Sequence, residues 1–161
     1  MLKELLLSKN TIEFLNEVFI RKYKDIQLHN DPDIPNYIIA GLTANDIKDR
    51  LIKGSNPDSI FSDRLDKTAL QTASQYGDIN IMEVLLDYGA TVDKVDSYGR
   101  TALHYASIHN QLDALKLLLS WGADLSIKDK EHLTALDLSE DNVREFIVRY
   151  IETHHQNKKG I

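Results

Sequence analysis

The sequence predicts an all-α solenoid in which short two-helix units stack along one axis. The tripeptide Thr-Ala-Leu occurs at residues 68–70, 101–103 and 134–136, so the interval from the first copy to the second equals that from the second to the third. An aspartate stands five residues before each of these threonines, and an apolar run ending in Gly-Ala recurs at the same interval. A fixed period in the range of about 20–50 residues indicates an array of small units, none of which buries its apolar face alone.

The clearest copy of the unit covers residues 96–128, and its parts follow in a readable order. Asp-Ser-Tyr-Gly-Arg at its start predicts a tight turn, with Gly99 at the position that favours a positive φ. Thr101 is the predicted N-cap of a short first helix. The second helix, roughly residues 112–120, carries leucines at i, i+3 and i+4, and Gly122 ends it in the left-handed region.

These segments carry a family resemblance. Thr-Ala-Leu-His-Tyr-Ala at residues 101–106 and Leu-Leu-Leu-Ser-Trp-Gly-Ala-Asp at residues 117–124 resemble the two halves of the ankyrin repeat, with Ala102 where that family usually has proline. Asp66 and His132 occupy the turn-glycine position in the neighbouring copies. The third copy loses about two residues before Val143, as expected of a terminal capping repeat.

The predicted organisation is an ankyrin-repeat α-solenoid with short hairpin-like turn fingers and an N-terminal helical cap. Its segments are an N-terminal cap and linker (1–34), a degenerate repeat (35–62), two regular repeats (63–95 and 96–128), a C-terminal capping repeat (129–157) and a frayed tail (158–161). The interval after Gly54 is two residues longer than the interval after Gly89, so residues 55–62 are expected to form an enlarged finger.

The N-terminal segment 1–30 has a different pattern from the repeats. Asn10 and Glu13 have the spacing of a capping box, and the helix that they begin runs toward Tyr23. Two prolines within residues 32–35 then predict a bend. We expect this segment to cover the open apolar end of the stack, and a helix pair that docks a partner or dimerises is the alternative.

Composition restricts the class of protein. A chain of 161 residues with 42% apolar and 27% charged residues is typical of one globular domain. Without cysteine there is no disulfide framework, and a net charge of −6 argues against nucleic acid as the main partner. No stretch has the pattern of a membrane span or signal peptide. We expect a monomer in the cytoplasm, or in a host cytoplasm if the protein is delivered there.

The sequence carries no recognisable chemical motif. It has no phosphate-binding glycine loop, nucleophile elbow or zinc-protease motif, and we predict no catalytic residue, cofactor or metal site. His104 fills the histidine position of the repeat, where the resemblance implies that it ties its own turn by hydrogen bonds. His154 and His155 lie near Glu152 but do not converge in a helix, so a solvated role is favoured.

The resemblance implies that the turn tips and the inner-helix surface form a concave face that binds another protein. Carried over position by position, the predicted binding residues are Arg64, Leu65, Lys67, Gln75, Tyr76, Ser97, Tyr98, Arg100, Ile108, His109, Lys130, Glu131 and Leu133. Tyrosine and arginine are often the dominant residues of interfaces. Alternatively, Leu65 and Leu133 pack against adjacent tips and Tyr98 covers a turn. Tyr88 and Trp121 are expected to pack against neighbouring repeats.

The sequence therefore predicts a non-enzymatic module for protein–protein interaction. One alternative is an adaptor or inhibitor that masks a partner. Small ankyrin proteins of pathogens and endosymbionts often resemble secreted effectors that act on host proteins, and this chain is similar to them. Another is an enzyme whose site lies between the N-terminal segment and the stack, and a third is a structural spacer. A contiguous apolar and aromatic concave patch would favour binding, whereas a deep polar pocket with convergent histidines or carboxylates would favour catalysis.

Overall fold

A computed structural model describes residues 43–60 and 65–157 of the chain, with side chains as far as Thr153. These two ranges contain the helices α1 Ala44–Ile52, α2 Ala69–Tyr76, α3 Ile79–Asp87, α4 Ala102–Ile108, α5 Leu112–Ser120 and α6 Asp141–Asn157. No strand forms within them, and an isolated antiparallel bridge joins Ile60 to Thr68. The all-α prediction is confirmed. The segments predicted before residue 43, the tail 158–161 and the finger residue Arg64 lie outside the described residues.

Threonines occupy the N-cap positions of α1, α2 and α4. Thr68 accepts a hydrogen bond from the Gln71 amide at 3.2 Å, and the Gln71 side chain accepts one from the Thr68 amide at 2.7 Å. This reciprocal capping box satisfies two amides that the first turn of a helix leaves without partners. Thr43 and Thr101 stand at the same N-cap position of α1 and α4, so the predicted cap at Thr101 is confirmed.

The helices form two layers that the repeat pattern predicts. The inner helices α2 and α4 pack on each other, and the outer helices pack in the order α1, α3, α5. Small side chains such as Ala73 and Ala106 are fully buried between the inner helices, whereas Leu85 and Leu118 fill the core from the outer helices. This division lets inner helices approach closely while the outer layer supplies most of the apolar area.

The described part of the first unit, α1 and the segment after it, joins the second unit through the same bond by which the second joins the third. Asp58 and Asp93 each stand four residues after the glycine that follows an outer helix. The Asp58 carboxylate accepts from the Thr91 amide at 2.8 Å, and Asp93 accepts from the Asp124 amide at 3.1 Å. Since these bonds are equivalent, the two extra residues of the first interval fall after Asp58, in the segment that leads to the first finger.

The terminal unit departs from the repeat. Residues 135–138 form turns instead of a first helix, and the following helix α6 extends over 17 residues. The shortened interval between Thr134 and α6 leaves no room for the two turns of an inner helix. Val143 and Ile147 of α6 are nevertheless fully buried in the common core. In the described part of the chain, no helix combines the length and apolar character needed to cross a membrane.

Candidate protein-binding surface

The fingers that begin at Asp96 and Asp129 are tight turns, each closed by its recurring aspartate. The Asp96 carboxylate accepts hydrogen bonds from the Tyr98 and Arg100 amides at 2.8 and 2.9 Å. Asp129 accepts in the same manner from the Glu131 and Leu133 amides at 2.9 and 3.1 Å. Both aspartates are buried, so these carboxylates hold the turns from inside. Their recurrence was visible in the sequence, but their role was not predicted.

The residue at the tip of each of these turns has a positive φ, in the left-handed region. Gly99 has φ 74°, and Asp66 and His132 at the equivalent positions have φ 52° and 64°. A Cβ added to Gly99 would lie 3.3 Å from the Lys130 amide nitrogen, so the next finger approaches its backbone closely. The tip of the middle finger therefore suits glycine both for its backbone conformation and for this contact.

Successive fingers are joined by equivalent backbone hydrogen bonds. The Ser97 amide donates to the Leu65 carbonyl at 3.0 Å, and the Lys130 amide donates to the Tyr98 carbonyl at 2.9 Å. The Ser97 hydroxyl also donates to the Asp66 carboxylate at 2.6 Å. These bonds fix the spacing of the three fingers, so the side chains at their tips are presented by an ordered frame.

Arg100 braces the next finger instead of extending freely from the surface. Its Nε lies 3.1 Å from Oδ2 of Asp129, and the two side chains are 23% and 1% exposed. Its guanidinium carbon lies 5.7 Å from the centroid of the Tyr98 ring. Burial tends to raise the pKa of Asp129, but the Leu133 amide, Arg100 and the Glu131 amide together lower that pKa below its ordinary value. This ion pair makes Arg100 part of the frame that joins the two fingers, in addition to its predicted place on the binding face.

Gln71 ties the inner helix α2 to the following unit. Its amide nitrogen donates to the carbonyls of Lys94 and Arg100, each at 2.8 Å. Its carbonyl oxygen accepts from the Thr68 amide, as described for the capping box. Gln71 is almost completely buried, and its amide group can donate and accept at once. It therefore joins two units without leaving a polar atom unsatisfied.

His104 takes the same position one repeat later and makes the same two connections. Its Nδ1 lies 3.1 Å from the Thr101 amide nitrogen, and its Nε2 lies 3.2 Å from the Leu133 carbonyl oxygen. The resemblance implied that this histidine ties its own turn; the structure adds a bond to the next unit. Burial lowers the pKa of His104, and Arg100 adds to this, against the opposing effects of the Leu133 carbonyl, Asp129 and Asp96.

Lys67 contacts side chains of both inner helices, α2 and α4. The Lys67 ammonium donates to the side-chain Oε1 of Gln75 at 2.7 Å and lies 4.5 Å from the centroid of the Tyr105 ring. Partial burial and the nearby Lys67 charge lower the pKa of His109. Tyr105 is buried and donates its hydroxyl to Asp96. Of the predicted binding residues, the structure thus brings Lys67, Gln75 and His109 together, whereas Tyr105 was missed.

The remaining predicted residues differ in how far they reach the surface. Tyr76 at the end of α2 is 58% exposed, and Tyr98 in the middle finger is 51% exposed. The other positions are exposed at Lys130 and Glu131 and half-buried at Leu65, Ser97, Ile108 and Leu133. The Leu133 carbonyl oxygen accepts a hydrogen bond from His104 Nε2, while its side chain lies half-buried on the finger.

Tyr88 and Trp121 occupy equivalent positions at the ends of two outer helices. They are the C-cap residues of α3 and α5, and more than a third of each residue is exposed. Their packing against neighbouring repeats stays a prediction. Their common repeat position, directly before a glycine, was a visible signal that two large aromatic residues share one edge of the stack.

The acidic residue Asp137, which precedes α6, has a structural partner. The Asp137 carboxylate accepts from the amide and the hydroxyl of Thr134 at 2.9 and 2.7 Å. These hydrogen bonds lower the pKa of Asp137. In the part of the chain that the structure describes, no group of three or more potential metal-ligating side chains converges on one point.

The fold and the fingers define a class of protein: a helical solenoid of stacked two-helix repeats with an ordered row of turn tips. A family model described as ankyrin repeats, in three copies, matches residues 37–129, which is more than half of the chain. The protein belongs to the ankyrin repeat family. Ankyrin repeats are generally protein–protein interaction modules, and the family is typically non-enzymatic. A comparison with curated proteins finds no match.

Proposed function

We propose that this chain is a non-enzymatic module that binds another protein through its finger face. The finger face comprises the turn residues 65–67, 97–100 and 130–133 together with Gln75, Tyr76, Ile108 and His109. The observation that carries the proposal is the exposure of Tyr98 and Tyr76 at 51% and 58% on a hydrogen-bonded frame. A large aromatic ring that is exposed on an ordered support is typical of an interface anchor.

The frame reduces the entropic cost of binding. The amides of Ser97 and Lys130 lock neighbouring fingers at a fixed spacing, so the partner does not have to order them. Tyr98 has few rotatable bonds, and the Arg100 guanidinium beside its ring restricts it further. The face is therefore organised before a partner arrives, which lowers the ordering cost of docking.

The surrounding side chains suit a partner that presents both apolar and polar groups. Tyr76 and Ile108 supply apolar surface, while Lys67, Lys130 and Glu131 supply charges of both signs near the fingers. A mixed surface of this kind matches the polar rim and apolar centre of non-obligate protein interfaces. The net charge of −6 supports a protein partner over a nucleic acid backbone. We propose that the chain acts as a monomer.

Site-specific photo-crosslinking tests the proposal in cells or extracts that contain the native partner. A photoreactive phenylalanine analogue replaces Tyr98 in one sample and Val148 in another. Val148 is exposed on α6, outside the finger face, and is the matched control. We expect a defined crosslinked protein only from the position of Tyr98, and excess unlabelled parental chain should suppress it. Equal crosslinking from both positions, or none from position 98 and a defined product from position 148, would contradict the proposal.

A further inference from the structure

The described inner-helix joints at Gln71 and His104 differ in whether their side chains can titrate. Gln71 holds the finger 96–100, and His104 holds the finger 129–133, through equivalent pairs of hydrogen bonds. The side-chain amide of Gln71 does not titrate in the physiological range, whereas an imidazole does. The joint to the last finger can therefore respond to protons, and the preceding joint cannot.

The hydrogen bonds determine which form of His104 fits. The Thr101 amide is a donor, so Nδ1 has to accept and carries no proton. The Leu133 carbonyl is an acceptor, so Nε2 has to carry the proton. Only the neutral tautomer with hydrogen on Nε2 satisfies both bonds. The Thr101 hydroxyl oxygen, 2.9 Å from Nδ1, could accept a second proton placed there, but the Thr101 amide would then lose its acceptor inside a buried site.

The charged groups around His104 act in both directions. Asp96 from its own unit and Asp129 from the next finger favour the protonated ring, whereas Arg100 opposes it. Each carboxylate already accepts several hydrogen bonds, so neither is available as a new direct partner for the ring. Helix α2, which packs on α4, has no charged residue in its sequence. Burial dominates this balance and keeps the pKa of His104 below its ordinary value of 6.5.

We propose that His104 is a proton-sensitive latch for the last finger, residues 129–133, so that mild acid loosens this finger while the middle finger stays closed. Opening the joint exposes the imidazole, which then takes up a proton that the closed joint excludes. Lys130, Glu131 and Leu133 of the finger face lie on the part that is released. Release of these residues should weaken partner binding. That expectation rests on the proposed function, whereas the release of the finger does not.

Amide hydrogen exchange of the full chain tests the latch without a partner. The reporters are the Lys130 amide, bonded to the Tyr98 carbonyl, and the equivalent Ser97 amide, bonded to the Leu65 carbonyl. We expect the protection factor of Lys130 to fall between pH 7.5 and pH 5, by up to about tenfold for each pH unit below 6.5 until His104 titrates in the closed form. The protection factor of Ser97 should stay constant over that range.

Two variants that exchange glutamine and histidine between positions 71 and 104 make the test specific. His104→Gln copies the residue that already serves at position 71, so it should fold and remove the acid-dependent loss of protection at Lys130. Gln71→His should transfer the acid sensitivity to the Ser97 amide. His109→Gln replaces an exposed histidine on the same surface and should change neither reporter. Equal acid sensitivity of Lys130 in the parent and in His104→Gln would overturn the proposal, as would constant protection of Lys130 in the parent.

Discussion

Arg100 and Asp129 form an ion pair that joins two successive fingers of the stack. The Arg100 Nε lies 3.1 Å from Asp129 Oδ2, and the Asp129 side chain is 1% exposed. The other oxygen of the same carboxylate accepts the Glu131 and Leu133 amides and so closes its own turn. One buried carboxylate therefore closes one finger and receives a cation from the finger before it. Arg100 is consequently part of the frame that carries Tyr98.

Replacing Arg100 by alanine should destabilise the protein. The Asp129 carboxylate would stay buried without its cationic partner, and such a loss costs about 1–3 kcal/mol. Urea unfolding followed by circular dichroism measures the change. Lys116→Ala is the control, because Lys116 pairs with Asp113 on the exposed surface of α5, where an ion pair contributes about 0.5 kcal/mol or less. Equal unfolding midpoints for both variants would show that the buried pair has no special role.

Tyr98→Ala should weaken partner binding strongly while changing the free energy of unfolding only slightly. The ring is half exposed, and its loss removes the contact with the Arg100 guanidinium, worth about 0.5–1 kcal/mol at a surface site. Partner binding, measured by calorimetry with the crosslinked protein, should weaken by about 2 kcal/mol or more. Val148→Ala on α6 should bind like the parent. Parental affinity in a folded Tyr98→Ala variant would move the binding surface away from the middle finger.

The repeat period made much of the fold predictable. The constant spacing of the repeats placed the threonine cap at residue 101, the glycine after α5 and the buried leucines of the outer helices, because these features depend on neighbours in the sequence. The turn in place of an inner helix at residues 135–138 was not specified, since the shortened interval indicated only a departure. The bonds of Asp58 and Asp93 to the following unit depend on side-chain geometry across repeats, which periodicity alone does not supply.

The candidate surface was predictable only in part, because contacts between side chains of different repeats do not follow from the repeat period. The repeat positions indicated which residues lie on the fingers and at the ends of inner helices, and Tyr98 and Tyr76 are exposed there. Whether a long side chain extends outward or folds onto a neighbour depends on what lies in the next repeat, as for Arg100 and Asp129. The equivalence of Gln71 and His104 was present in the sequence as two polar residues at one buried repeat position.

His132→Gly should stabilise the protein. His132 adopts φ 64° at an exposed tip, the conformation for which the middle finger uses glycine. Relief of the left-handed strain exceeds the extra entropy of glycine in the unfolded chain, so we expect a gain of about 0.5–1 kcal/mol in urea unfolding. Asp66→Gly should gain less, because the Asp66 carboxylate accepts a bond from Ser97 that glycine cannot replace. Destabilisation by His132→Gly would show that its imidazole has a compensating contact.

Leu118→Ala should cost about 2–5 kcal/mol of unfolding free energy. Its side chain is fully buried where α5 meets the common core, and its removal leaves a cavity between packed helices. Thermal and urea unfolding both report this loss. Ile52→Ala is the matched control, since this large aliphatic residue at the end of α1 is mostly exposed and should cost less than about 1 kcal/mol. Similar losses for the two variants would place Leu118 outside the core.

The stability of the protein should decline in two separate steps as the pH falls. The folded-state pKa of His104 lies below its unfolded value of 6.5, so its effect is absent above that value. As the pH falls below 6.5, the unfolded chain binds a proton that the folded chain excludes, and stability decreases until the folded pKa is reached. Hydrogen bonds lower the folded pKa values of Asp129 and Asp137, so their contribution is present above 3.8 and is lost below it.

Urea unfolding of the parent and of His104→Gln from pH 7.5 to pH 3 resolves these two steps. The variant should remove or greatly reduce the loss that begins near pH 6.5 and retain the loss below about pH 4, because its amide does not titrate while the aspartates are unchanged. His109→Gln controls for the loss of an imidazole at an exposed position and should retain most of the first step. If His104→Gln follows the parent through the first step, another group binds those protons, and the buried imidazole does not limit the acid stability of the stack.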